Sequence, residues 1–393
     1  MSQRPIARSA DLMKLRNEGF DIRMEGGYLV VRDIPYLKAK GVIDRGKLAC
    51  ALSAADDIAQ PPADHTAHFI GGHPCNADGS PMVEIVNSAN AVEISSDIKS
   101  NFYLSAKPKP RDNYRDFHEK VTTYVRRLSG PAEEGNPNVT AKTFPFVEAD
   151  EDEGVFNYVD MATSRADIGE ISKKLLLGRI AILGLGGTGS YILDLVAKTP
   201  VREIHLWDGD IFSQHNAFRA PGAASGAELV TKPFKVDYFH AIYSKMRKGI
   251  VPHPEFISEA NLDGLSGMDF VFICMEAGPV KALAVEKLLA QGTSFIEVGM
   301  GVYLKNGALG GTLRTTIGTP AKHDHLAELM PCTDGGPKYE YDKNIQIADL
   351  NALHAALAVI KWKKLFGFYA DQRGEHYSTY AITRNETNNE ELS

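Results

Sequence analysis

Residues 175–219 read LLLGRIAILGLGGTGSYILDLVAKTPVREIHLWDGDIFSQHNAFR. Within them, Ile180 to Leu183 is a short apolar run, β-branched enough for a buried parallel strand. Gly184, Gly186, Gly187 and Gly189 form a turn into an apolar helix expected from Ser190 to Lys198. A second strand, Glu203 to Trp207, ends on Asp208. That succession is the opening strand–helix–strand of a nucleotide-binding α/β fold. The glycines let the backbone approach phosphates at the helix N-terminus, where unpaired N–H groups and the helix dipole favour anions. An acid at the end of the second strand is placed to hydrogen-bond ribose hydroxyls. On these residues alone, nicotinamide, flavin and adenylate enzymes all stay open.

The segment that follows, DGDIFSQHNAFR, narrows the choice through Asp208, Asp210, Asn216 and Arg219. Hydride transfer has no use for an Asn and an Arg three apart just beyond the ribose acid. Attack on the α-phosphate of ATP does, because the charge that builds there must be met by fixed donors. Together with the four glycines, these residues resemble the ThiF/MoeB and ubiquitin-activating-enzyme superfamily, over roughly residues 160 to 370. Ser213 sits close to the family serine, and Ala220 stands where the family usually has Gln.

The resemblance implies an α/β domain over residues 155–380, a Rossmann-like, mostly parallel sheet with helices on both faces. It implies binding of ATP and Mg²⁺, and adenylation of the C-terminal carboxylate of a ubiquitin-like or sulfur-carrier protein ending Gly-Gly. Asn216, Arg219 and a helix-leading lysine would neutralise charge on the phosphates. Lys235 fits that lysine if one residue is inserted, Lys232 fits by raw spacing, and Lys235 is preferred because it leads the helix. Glu276, at the end of MDFVFICME, stands where the family places an Asp on magnesium. Its extra methylene moves the carboxylate outward unless the backbone compensates. Arg165 matches an arginine that, in the family, reaches across a homodimer interface to the partner's ATP.

Cys332, in AELMPCTDGGPKYEY, stands where several relatives carry a thioester cysteine, within a crossover loop of about 318–348. A thiol is nucleophilic toward an acyl adenylate, and its thioester stays transferable, here to a conjugating enzyme. The two C-x-x-C zinc pairs of many relatives are absent, which points away from sulfur transfer. Three alternatives remain. One is adenylation without a thioester, in a sulfur-carrier, cofactor or tRNA pathway. Another is a nicotinamide-dependent oxidoreductase. The last is an inactive scaffold subunit, a reading to which Ala220 and Glu276 lend weight.

The 393 residues exceed what one core usually holds, so two or three domains are expected. A formal charge of −7 argues against a general nucleic-acid or acidic-membrane binder. No apolar run approaches the ~20 residues of a membrane span. The four cysteines show no framework spacing, so a reducing cytoplasm is expected.

Residues 1–150 lie outside the resemblance and read as a small α+β accessory or partner-binding domain. It holds an amphipathic helix from Ala10 to Glu18, a strand in GGYLVVRDIPYL, and a hairpin of HTAHFIGG with PMVEIVN. His65, His68, His73 and Cys75 are crowded but fit no standard zinc spacing, and read better as core or solvated side chains. Pro131 to Asp152 reads as a linker or seam loop, and SRADIGEISKKLLLGR as one helix entering the first strand. IADLNALHAALAVIKWKKLFG is apolar nearly all round and expected to be buried. Residues 381–393 read as a polar, disordered tail.

Overall fold

The computed structural model describes residues 3–96, 98–149, 154–330 and 345–389. The chain forms two compact units, residues 1–150 with 159–167 and residues 151–158 with 168–393. Among the described residues no helix is long and apolar enough to cross a membrane.

The first unit begins with helices α1 (Arg4–Arg8) and α2 (Ala10–Asn17). Its sheet contains β1 (Ile22–Glu25), β2 (Tyr28–Lys38), β3 (Val42–Ala51), β4 (Thr66–Ile70), β5 (Val86–Ser88) and β6 (Phe102–Ser105). The order is β1-β2-β3-β4-β6-β5, antiparallel throughout. Helix α3 (Phe117–Gly135) closes one face. Asp116 caps it, accepting from the Glu119 N–H at 2.7 Å. Phe117, Val121, Tyr124, Val125 and Leu128 recur every three or four residues and are buried on one stripe against Leu29, Val31 and Phe69.

Two expectations for this unit fail. The hairpin of HTAHFIGG with PMVEIVN does not form, because β6 lies between β4 and β5 and pairs with both. Pairing across so long a separation leaves no local turn signal. The linker expected from Pro131 instead starts as helix, since α3 runs through Pro131 to Gly135 with Ala132 fully buried. Of the crowded histidines, His68 lies between the rings of Tyr28 and Tyr103 and shares a hydrogen bond with Ser100. His73 meets Phe102 edge-on.

The second unit carries a sheet of β7 (Arg179–Leu183), β8 (Glu203–Trp207), β9 (Ile250–His253), β10 (Phe270–Ile273), β11 (Phe295–Lys305), β12 (Ala308–Gly318), β13 (Tyr377–Ala381) and β14 (Glu386–Asn389). The order β9-β8-β7-β10-β11-β12-β13-β14 is parallel from β9 to β11 and antiparallel beyond. It is a mostly parallel α/β sheet. Helices α4 (Gly187–Val196), α5 (Lys235–Tyr243) and α7 (Ala348–Leu365) bury Leu193, Phe239 and Trp362 in one core, and α6 (Pro279–Gln291) buries Ala284 and Leu288 in another. From β7 the chain builds outward to β9, then returns to β10 on the other side. That reversal opens a crevice at the carboxyl ends of β7 and β10.

Helix α4 starts at Gly187, earlier than the sequence implied, so two of the glycines are helical. The expected single helix before β7 is broken: Met161–Arg165 is capped by Asp160, and Asp167 takes a left-handed φ of 54° before Gly169–Ser172. Helix α7 is not buried all round, for Leu353 and Ile360 are exposed. The expected tail carries strand β14, paired with β13. Its side chains are polar because they are largely exposed on the sheet edge, which composition alone cannot separate from disorder.

Candidate functional site

The glycine turn lines a 470 Å³ cleft in the crevice. Gly184 takes φ +92°, and a Cβ there would lie 2.8 Å from the Cys274 carbonyl oxygen. At Gly189 a Cβ would overlap the Gly184 carbonyl, and at Gly187 the amide of Asn351. These three are required by packing. Gly186 is different: its nearest neighbour would be Gln346 Oε1, at 4.0 Å, so its bareness serves the cleft it lines. Gln346 Oε1 accepts from the Gly187 N–H at 3.3 Å, at the helix terminus that favours an anion.

Asp208 is 6% exposed. Its Oδ2 accepts from the Leu185 N–H at 2.7 Å and its Oδ1 from the Asp210 N–H at 2.8 Å. The acid thus holds the glycine turn and the next loop together while lining the cleft. Lys235, buried at the first turn of α5, reaches Asp208 at 3.4 Å and Asp210 at 2.6 Å. It lines the cleft, whereas Lys232 is an exposed left-handed residue ending Gly226–Thr231. Arg219 also lines the cleft, and its Nε is buried with no hydrogen-bond partner.

Asn216 is buried, but its Oδ1 accepts from Ser213 N–H at 2.9 Å, capping the short helix Gln214–Ala217. It is not among the residues lining the cleft. Ala220 belongs to the apolar core beneath, which accounts for a small apolar residue there. Arg165 lies in the first unit, 5.8 Å above the Phe144 ring. Cys332 lies outside the described residues.

Glu276 stands just past β10 and lines the cleft beside Cys274 and Ala277. Among the described residues no three His, Cys, Asp or Glu side chains gather for a metal. One carboxylate beside a phosphate site still fits magnesium, which commonly takes one or two carboxylates together with substrate phosphates. Burial pushes the Cys274 thiol up, which disfavours a thiolate there.

A second cavity, 620 Å³, shares Gly186, Glu276 and Lys281 with the first and extends along β11 and β12. Its floor is ionic. Glu297, fully buried, accepts from buried Lys281 and from Arg314 Nη2 at 2.9 and 3.1 Å. Two cations on one carboxylate give this triad a net positive charge, with Glu276 in the same lining. His354, 1% exposed, pairs through Nε2 with the Arg314 carbonyl oxygen at 2.8 Å, while its Nδ1 is buried without a partner. Burial pushes the imidazole down to about 4, against the opposing pull of that carbonyl and Glu297.

Sequence reasoning missed Lys281, Glu297, Arg314, His354 and Asn351. Asn351 is fully buried on α7, pairs with Thr188 at 3.1 Å, and donates to the Arg219 carbonyl at 3.3 Å. It ties the glycine helix to the backbone of Arg219. Polar residues at 351 and 354, one helical turn apart in an apolar helix, were the available signal.

Residues 161–333 match the ThiF family, and residues 10–161 match a domain of unknown function, DUF6791. No curated protein matches the chain. Among solved structures, PaaA is similar at 16% identity over 59% of this chain and 80% of that one, with a TM-score of 0.46. The microcin C7 biosynthetic enzyme MccB in complex with N-formylated MccA is similar at 16% identity, over 70% of this chain and 80% of that chain, with a TM-score of 0.46. E. coli MccB with ATP is similar at 17% identity, over 57% of this chain and 66% of that chain, with a TM-score of 0.42.

Proposed function

We propose that the second unit is an ATP-dependent adenylyltransferase acting on the carboxylate of a protein or peptide. The ThiF match of residues 161–333 supports adenylation chemistry. The observation that carries the reading is one cleft joining the glycine turn, Lys235 and Arg219, whose buried Nε lacks a partner. An unpaired buried guanidinium nitrogen is costly unless a ligand engages that side chain.

The phosphates lie at the α4 N-terminus, in the place Gln346 Oε1 takes. A carboxylate oxygen attacks the α-phosphorus, the bond to the bridging oxygen breaks, and pyrophosphate leaves. Arg219 and Lys235 face the charge that grows during this step, so they act mainly in the transition state. Lys235 is held for the task by Asp208 and Asp210. Glu276 would hold magnesium, which supplies charge neutralisation on the phosphates. The acid enters through the adjoining cavity, whose Lys281–Glu297–Arg314 floor carries the net positive charge a carboxylate needs.

The substrate class we favour is a ubiquitin-like or sulfur-carrier protein with a Gly-Gly tail, activated by a homodimer in which Arg165 serves the partner's site. The Cys332 thiolate then attacks the acyl carbon of the adenylate, AMP leaves, and the thioester is passed to a conjugating enzyme. The first unit binds a partner. ATP–pyrophosphate exchange, stimulated by the carrier and lost in Arg219→Ala, tests the adenylation step. In Cys332→Ala, exchange persists while the thiol-sensitive adduct disappears. Exchange absent with every carboxyl-terminal peptide or carrier would overturn the reading.

A further inference from the structure

The lining of the nucleotide cleft mixes two chemistries. Lys235, Arg219 and the glycine turn offer charge and bare backbone, whereas Trp207, Ile257 and Phe256 are apolar. Trp207 and Ile257 are almost fully buried, whereas Phe256 is 62% exposed. A lone exposed apolar side chain is ordinary, but three features set Phe256 apart.

Its ring lies directly over Gly209, between Asp208 and Asp210, and a Cβ at Gly209 would come within 2.7 Å of it. Gly209 has no positive φ, so the backbone does not require glycine. The ring does. The loop bearing Phe256 is also pinned. Asn261 Oδ1 accepts from the Ser258 N–H at 2.7 Å, and its Nδ2 donates to the Phe256 carbonyl at 2.9 Å and to Glu255 Oε2 at 3.0 Å. Finally, the wall behind is rigid: Trp207 stacks on His253 with centroids 3.9 Å apart and planes 6° apart. The chain has therefore fixed an exposed aromatic face in the cleft lining, beside the Asp208–Asp210 loop.

Building on the nucleotide reading above, we propose that Phe256 is the stacking platform for the nucleobase and sets the preference among nucleotides. Stacking on an aromatic face is tolerant of base identity, because every base has a π-face, but it grows with ring area. The Phe256 carbonyl already accepts from Asn261 and is engaged in holding the loop. Selection at Phe256 thus runs through the area of the base, and purines bind ahead of pyrimidines. Phe256 positions the nucleotide, with no part in proton or phosphoryl transfer.

The test is calorimetric titration of the full-length protein with magnesium-ATP, magnesium-CTP and inorganic tripolyphosphate, in wild type, Phe256→Ala, Phe256→Trp and Gly209→Ala. Phe256→Ala should weaken ATP about tenfold. It should bring ATP and CTP close to parity and leave tripolyphosphate unchanged. Phe256→Trp should keep the purine preference. Gly209→Ala, which pushes the ring off its seat, should weaken ATP in the same direction. Wild-type affinity for ATP in Phe256→Ala overturns the platform alone. Equal loss of tripolyphosphate in that variant also overturns it, since the ring would then be only structural. Wild-type protein that binds tripolyphosphate but no nucleotide overturns the nucleotide reading itself.

Discussion

The two adjoining cavities are built from opposite materials. The nucleotide cleft draws mainly on short consecutive runs: the glycine turn, Asp208 to Asp210, and Cys274 to Lys281. Its shape comes from backbone held by Asp208 and by contacts that no Cβ could share. The second cavity takes Lys281, Glu297, Arg314 and His354 from α6, β11, β12 and α7, and its shape comes from charge buried against charge. The contrast teaches that removing a side chain that only lines the first, such as Arg219, should cost function at little cost to folding. Injury to the second should cost stability first.

The strongest way to break that contrast is Glu297→Ala. It leaves Lys281 and Arg314 without their buried partner, and should lower stability by about 3–5 kcal/mol in urea unfolding. A loss of activity with unchanged stability would make this ionic floor a site only, with no structural part. Arg219→Ala is the counterpart. Pyrophosphate exchange should fall about a hundredfold or more, while unfolding shifts by no more than about 0.5 kcal/mol.

Acid sharpens the comparison. The native His354 pKa, near 4, lies below the ~6.5 of an unfolded histidine, so on acidification the unfolded chain takes up the proton first. The stability this group contributes is full above about pH 6.5 and is lost as pH falls toward 4. Between pH 7 and 4.5 the wild type should lose on the order of 2 kcal/mol more than His354→Gln. Parallel unfolding curves would mean the imidazole does not stay neutral. The smallest steric change is expected at Gly186→Ala, where the methyl meets nothing closer than 4.0 Å within the protein. Alanine caps a helix less well than glycine, so stability should fall by up to about 1 kcal/mol, while ATP affinity drops measurably because the methyl enters the cleft.

Much of the cleft was legible because its parts are local. The spacing from Gly184 to Gly189 and the position of Asp208 place strand, turn and helix by short-range geometry. The preference for Lys235 over Lys232 rested on its leading a helix, and Lys235 does line the cleft while Lys232 faces solvent. Asn216 was less readable. An Asn after a Ser serves equally as a cap or as a donor, and in this fold its carbonyl oxygen caps.

In the first unit, alternation in GGYLVVRDIPYL announced a strand. Partner choice was hidden: β6 enters between β4 and β5 from a distant stretch. A polar tail likewise became β14, because strand pairing satisfies its backbone whatever its side chains are.

By itself, then, the sequence determined the strand, glycine turn, helix and second strand of residues 180–207 and the acid that follows them. Those are matters of spacing within a few residues, where backbone geometry leaves little freedom. Tertiary structure alone decided that Glu297 would sit between Lys281 and Arg314, that His354 would be held neutral, and that Asn351 would hold the Arg219 loop. Each depends on burial, which removes water from a charged or polar group and leaves only residues far along the chain to satisfy it.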